Sequence, residues 1–180
     1  KVREGQKVQV GNRVIGGKDE KVVLAVYKPV GIVCTEDKRT KNNIVRFLKY
    51  PVRVTYAGRL DKDSEGLLLM TNDGDLINGL MRAANYHEKE YLVRVNKPIN
   101  DTFLEKMAAG VFLKELNVTT RPCTIEQEGK FVFRIVLTQG LNRQIRRMCR
   151  ALGYDAQGIK RVRVANITIG KLKPGNYRLV

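Results

Sequence analysis

From Val22 to Gly170 short strand-like and helix-like runs follow one another without a regular βαβ rhythm, and this order constrains the fold more than any single motif. VVLAVYKPVGIVCT (22–35) is a β-run broken at Lys28-Pro29-Val30-Gly31, where a proline and a glycine two apart predict a turn. NNIVRFLK (42–49) is read as a short helix. VRVTYAG (52–58) and GLLLMTN (66–72) are read as strands, and GDLINGLMRAAN (74–85) as a helix. In HEKEYLVRVNKP (87–98), Tyr91, Val93 and Val95 alternate with Glu90, Leu92 and Arg94, the spacing of a strand that stops at Pro98. NDTFLEKMAAG (100–110) reads as a capped helix with glycine as its stop. A hairpin around Glu128-Gly129 is predicted over 119–140, a helix over 142–152 and a basic strand over 159–170. Strands and helices mixed in this way are expected to form an α+β fold rather than a doubly wound parallel sheet.

Charge limits the function classes. Lys and Arg number 34 against 18 Asp and Glu, a net charge of +16. That excess raises the local concentration of polyanions, so nucleic acid is the first expected partner and an acidic membrane surface the second. No apolar run approaches the ~20 residues of a membrane-spanning helix, and no membrane insertion is expected. Hydrophobic residues at 43% suffice for a packed core. The chain shows no signal peptide and opens on KVREGQ, so it is read as trimmed at its start. Cys34, Cys123 and Cys149 are far apart and odd in number; a disulfide framework is not expected, and the setting is read as a reducing cytoplasm. With one histidine, His87, and no pair of cysteines at metal-ligand spacing, neither a metal site nor a Cys/His nucleophile pair is predicted.

One acidic cluster interrupts this cationic chain: AGRLDKDSEGLLLM (57–70). Asp61, Asp63, Glu65 and Gly66 mimic the first positions of a calcium loop, but the twelfth position is Asn72 where a bidentate Glu is needed, and GLLLMTN reads as a strand. Asp63, Ser64 and Glu65 suit a solvated turn. Asp61 lies just after the strand read over 52–58, and a short side chain fixed by a rigid element suits a catalytic carboxylate. A partly buried carboxylate needs a cation.

TQGLNRQIRRMCRALGY (138–154) supplies cations. On a helix Ile145, Met148, Cys149 and Leu152 share one face, and Arg143, Arg146, Arg147 and Arg150 the other. Four arginines on one face suit a phosphate backbone, since guanidinium grips phosphate in a bidentate fork. The short helix lacks large aromatics on its apolar face, which disfavours a membrane-surface role. Arg146 lies nearest the edge of the apolar stripe, so an Asp61–Arg146 pair is predicted.

These segments together resemble the pseudouridine synthases. Gly58-Arg59-Leu60-Asp61-Lys62-Asp63-Ser64-Glu65-Gly66-Leu67-Leu68-Leu69 resembles that family's active-site segment, and Tyr27-Lys28-Pro29-Val30-Gly31 its first motif. Lys89-Glu90-Tyr91-Leu92-Val93 resembles its tyrosine strand, and Gln139-Gly140-Leu141-Asn142-Arg143-Gln144-Ile145-Arg146-Arg147-Met148 its arginine motif. Glu65 departs from the family pattern, where Ser, Thr or Gln is commoner, and is expected to add negative charge near the RNA path. The resemblance implies a mostly antiparallel mixed sheet with flanking helices and an active-site cleft. It implies a catalytic domain over 21–180, preceded at 1–20 by the remnant of an S4-like RNA-binding domain and a linker.

The implied activity is the isomerisation of a uridine, in 23S ribosomal RNA first and in tRNA as a further candidate, by a monomer without cofactor or metal. Asp61 would be the essential aspartate, attacking C1′ or removing the C2′ proton. Arg146 would pair with it, and Tyr91 would pack on the base. RNA contacts are expected at Lys28, Arg59, Lys62, Arg143, Arg147 and Arg150. A passive RNA-binding module is the main alternative; it explains the charge but not Asp61. A base deaminase is disfavoured because Pro122-Cys123 lacks a second cysteine at Glu126 and His87 lacks the glutamate two residues on. A glycosidase using Asp61 and Asp63 is weaker still, since the two are expected to face different ways and nothing else in the chain suggests sugar binding.

Overall fold

The computed structural model describes residues 20–84 and 87–180. The S4-like remnant predicted over 1–20 lies outside these residues except for Glu20. In chain order the elements are β1 (Val23–Lys28), α1 (Ile44–Leu48), β2 (Thr55–Ala57), β3 (Glu65–Thr71), α2 (Gly74–Ala84), β4 (Lys89–Val95), α3 (Asp101–Ala109), β5 (Phe112–Leu113), β6 (Val118–Thr119), β7 (Thr124–Gly129), β8 (Val132–Leu137), α4 (Gln144–Ala151), β9 (Ala156–Val164), β10 (Ile167–Thr168) and β11 (Tyr177–Leu179). The main sheet runs β11-β1-β3-β9-β4-β8-β7, with β10 paired to β9 and β2 to β3; β5 and β6 form a separate hairpin. The β3–β9 pairing is parallel and the other pairings are antiparallel. The fold is the expected α+β mixed sheet.

The LLLM run now has its cause. Leu68 and Met70 pack on one face of β3 with Leu24, Val26, Ile44 and Leu60, and Leu67 and Leu69 pack on the other with Ala25, Tyr27 and Ile169. A strand covered on both faces has no polar alternation. A second core, around β4 and β8, takes Val93, Val95, Phe133 and Ile135 together with Phe103 and Met107 of α3. Ile145, Met148 and Cys149 of α4 join it, and Leu152 packs at its edge, as the helical spacing predicts.

β3 also creates the cleft. One of its edges is taken by β1 from Gly66 to Thr71. The other is shared: β9 pairs with Glu65 and Gly66, and β2 pairs with Leu69, Met70 and Thr71. Between those pairings the sheet forks, and Leu67 faces no strand on that edge. The Arg161 guanidinium fills the gap, its Nε donating to the Leu67 carbonyl at 2.9 Å. At the base of the fork Gly66 is obligatory: its φ is +117°, and a Cβ there would lie 2.2 Å from the Arg161 carbonyl oxygen.

Two expectations change in detail, and two short elements went unpredicted. The hairpin predicted around Glu128-Gly129 turns instead at Lys130-Phe131, because β7 continues through Gly129 past an irregular register. The basic strand predicted over 159–170 is two strands, β9 and β10, reversed at Ala165-Asn166 with Ala165 at φ +52°. No glycine marks that turn, so the sequence does not announce it. The β5–β6 hairpin and β11 are too short to show a period.

Candidate active site

The loop between β2 and β3, residues 58–64, carries Asp61 into the fork. Its backbone is pinned from several directions. Leu60 is buried in the core below. The Lys62 carbonyl accepts from Gly31 N at 2.8 Å and from Lys28 Nζ at 3.4 Å. Arg161 Nη1 donates to the Arg59 carbonyl at 3.4 Å, and Arg146 Nη2 to the Asp63 carbonyl at 3.0 Å. Ser64 N closes a turn on the Asp61 carbonyl at 3.0 Å. The Asp61 main chain is thus tied to both halves of the sheet and to α4, while its carboxylate stays 42% exposed. A fixed backbone with an accessible carboxylate is what a reacting group needs.

The carboxylates and arginines pair differently from the prediction. The ion pair found at Asp61 is with Arg143, 3.6 Å from Oδ2, not with Arg146. Arg143 also forks onto Asp63, at 3.2 and 2.8 Å to its two oxygens. Arg146 Nε lies 3.5 Å from Asp63 Oδ2, and its Nη1 donates to the Ala156 carbonyl at 2.9 Å. The premise that a half-buried Arg146 needs a carboxylate holds, for its side chain is 16% exposed; the carboxylate is Asp63. The tight Asp61–Ser64 turn brings both aspartates toward α4, so the expectation that they face different ways fails; residues two apart share a face even on an extended strand. Hydrogen bonding from Arg143 holds the Asp63 carboxyl below the usual aspartate range, with the charges of Arg146 and Arg143 adding to it.

The fork opens into a cleft of about 520 Å³. Asp61, Tyr91, Arg143 and Arg146 line it, as do Arg59, Lys89, Gln144 and Arg161. Tyr91, half-buried on β4, stands where the register with β9 shifts between Glu90 and Tyr91. Such a bulge re-aims side chains beside a site. On the far face of β4, Glu90 is bound by Arg134 and Arg163. Burial raises the Glu90 pKa, but hydrogen bonds from those two arginines outweigh it and leave the group below its ordinary value.

Lys89, two residues before Tyr91 and 5% exposed, is a cleft residue for which the sequence motif implied no role. Burial, and then the charges of Arg161 and Arg121, lower its pKa to about 8. Gly140 leaves it room: a Cβ there would lie 3.4 Å from Lys89 Nζ. Gln144, also buried, fixes the turn before α4, accepting from Leu141 N at 3.1 Å and donating to Gln139 Oε1 at 3.3 Å. Arg161 carried no signal beyond its place in a basic strand.

The expected RNA contacts divide. Arg59, Lys62 and Arg150 are exposed. Lys28 is 0% exposed, with Nζ donating to the Pro29 and Ile32 carbonyls at 2.8 Å each. It is a strut under the Asp61 loop and not a phosphate contact. Arg147 spends its guanidinium on the Asn142 carbonyl and Oδ1, at 2.9 and 2.8 Å, and Arg143 is held by the aspartates. Glu65 turns to the Tyr27 hydroxyl, which donates to it. Burial, with Glu65 adding, raises the pKa of that hydroxyl. Burial also pushes the Cys149 thiol up to about 12 and Cys123 to about 11, away from the thiolate form that a nucleophile needs.

A forked mixed sheet that presents Asp61 beside a tyrosine strand and an arginine helix is the arrangement that the resemblance to the pseudouridine synthases implies, and comparison with known proteins gives the same class. The chain belongs to the RNA pseudouridylate synthase family, whose model matches residues 22–151. It is 46% identical over 98% of its length to the dual-specificity RNA pseudouridine synthase RluF of Escherichia coli O6:H1, and it spans 61% of that relative. It is 35% identical over 84% of its length to the ribosomal small subunit pseudouridine synthase A of Escherichia coli K12, covering 67% of that protein. A solved pseudouridylate synthase structure matches with a TM-score of 0.82 at 28% identity, over 91% of this chain and 72% of that one. The sequence motifs resemble those of the branch of RsuA, RluB, RluE and RluF, and the similarity to RluF agrees with that resemblance.

Proposed function

We propose that the chain isomerises a uridine of RNA to pseudouridine, in large-subunit ribosomal RNA first and in tRNA as a second substrate, acting as a cytoplasmic monomer without metal. The supporting observation is Asp61: a carboxylate on a braced loop, in a cleft that also holds Tyr91 and a guanidinium 3.6 Å away. A stacked uridine cannot reach that carboxylate, so the nucleotide is flipped out, at a cost of a few kcal/mol. Phosphate contacts from Arg59, Lys62 and Arg150 offset this cost.

In the cleft the bond from N1 to C1′ breaks and the freed uracil turns over. C5 then bonds to C1′, and the C5 proton leaves while N1 gains one. The product has the atoms of the substrate. Asp61 begins the sequence either as nucleophile at C1′ or as base toward the C2′ proton, and Arg143 supplies the counter-charge. Tyr91 offers a ring on which the uracil stacks while it turns. Leu60 and Arg161, both buried, line the cleft from below. The "dual-specificity" of the RluF relative favours more than one RNA substrate. Mapping pseudouridine in ribosomal and transfer RNA from cells lacking the protein tests the proposal. Loss of one or more sites, restored by the wild-type chain, is expected; an unchanged map in both RNAs contradicts it.

A further inference from the structure

The β11 edge of the sheet holds a second basic depression, about 590 Å³ and open to solvent, into which Lys171, Asn176, Tyr177 and Arg178 project. Two strand spacings, roughly 10 Å, separate β11 from β3. Three aromatic rings gather there. Tyr177 is 42% exposed and meets Tyr50 edge-on, with centroids 5.4 Å apart. Phe47, 37% exposed, lies against Gly175, where a Cβ would be 3.4 Å from its ring.

The charge around the rings is of one sign. Residues 38–60 and 156–180 contain thirteen Lys or Arg and no acid; Arg39, Arg53 and Arg163 among them are paired with acids elsewhere in the chain, which leaves the cations nearer the rings as the border. Arg46, Lys49, Lys171, Lys173 and Arg178 are all exposed. Single exposed apolar side chains need no explanation, but a cluster of rings inside an unneutralised cationic border does. The border repels a second copy of this chain, and the five-residue α1 is too short to seat on a membrane as an amphipathic helix. Rings beside cations are the features that hold single-stranded nucleic acid, because any splayed base can stack on an aromatic face while the phosphates meet the charges. A duplex hides its bases and offers such a ring nothing to stack on.

We propose that the β11 edge is a second RNA subsite, holding an unpaired nucleotide of the substrate outside the cleft, with its base on Tyr177, its flanking phosphates on Lys171 and Lys173, and beside them Arg178, whose Nη2 donates to the Thr168 carbonyl at 2.7 Å. This rests on RNA being the substrate and adds a structural preference: the target uridine lies close to an unpaired segment. The test is fluorescence anisotropy of the whole protein with a labelled oligouridylate and with an RNA duplex of equal length. Tyr177→Ala is expected to weaken oligouridylate binding roughly tenfold, the lower half of the range for losing one stacked base. Tyr177→Phe keeps the ring and the affinity, and duplex binding stays unchanged in both variants. Lys171→Gln with Lys173→Gln, outside any strand, is expected to lower the salt slope by about 1.4. This pair decides the matter if Tyr177→Ala loosens β11. Unchanged oligouridylate affinity and salt slope in every variant overturn the subsite, as they would if a protein bound there. Equal losses on duplex and single strand overturn it too. If the wild-type protein and Asp61→Asn both bind no RNA, the substrate reading itself fails, which is a separate result.

Discussion

Replacing Asp63 by Asn probes the clamp between the catalytic loop and α4. The carboxylate receives a fork from Arg143 at 3.2 and 2.8 Å and faces Arg146 Nε at 3.5 Å. At that last distance the gross attraction is ~5 kcal/mol at an effective dielectric near 20 and ~1 kcal/mol in water. Asp63 is 47% exposed and Arg143 40%, so their pair falls toward the watery limit; we expect a coupling of ~1 kcal/mol, at the top of the range for exposed pairs. Arg146, at 16% exposure, is left without its counter-charge as well, and the total loss for Asp63→Asn is put at ~2 kcal/mol. Urea unfolding of Asp63→Asn, Arg143→Gln and the double variant measures the coupling directly. Activity should split from binding. The loop drifts and the rate under saturating RNA falls by roughly 10- to 100-fold, in line with the cost of ångström misplacement. RNA affinity rises, because Arg143 is released to phosphate and one negative charge is gone. Additive stabilities within ~0.3 kcal/mol, or weaker RNA binding, would refute the clamp.

Lys28→Met should cost ~2 kcal/mol of stability, since it strips donors from the Pro29 and Ile32 carbonyls. It should leave the salt slope of RNA binding unchanged; a fall of ~0.7 or more would return Lys28 to the RNA surface. Lys89, with its pKa lowered to about 8 from 10.5, loses its charge in the folded protein while the unfolded chain still holds the proton. Stability therefore gains from this group as pH rises from about 8 to 10.5, whereas RNA affinity falls as pH passes about 8. Lys89→Met should abolish that step in affinity, and a step that persists in the variant assigns it to another group.

Much of this architecture was legible because periodic or punctuated segments report directly. The alternation of Tyr91, Val93 and Val95 gave β4, and Asn100 and Gly110 bracketed α3, where the Asn100 side chain accepts from Phe103 N at 2.8 Å. The acidic loop and the arginine helix stood out as concentrated charge of opposite sign. What stayed hidden depends on distance in space. No pattern in the chain says that β2 and β9 divide one edge of β3, and the fork depends on that division. The partners of Arg146 and Arg143 turned on a single tight turn that set Asp61 and Asp63 side by side. Arg161 looked like one cation among many, yet it bridges the fork because a strand pairing ends beside Leu67. Lys28 reads as a surface cation by residue type and is buried because carbonyls converge on it.

Tritium release from RNA labelled at uracil C5 tests the assignment of the cleft most directly, because the C5–C1′ bond cannot form and be retained without loss of that hydrogen. Wild-type protein should release tritium stoichiometrically with the target uridine. Asp61→Asn should release none while binding the same RNA with similar affinity. Turnover by Asp61→Asn, or wild-type protein that binds the RNA and leaves its tritium in place, would contradict the account.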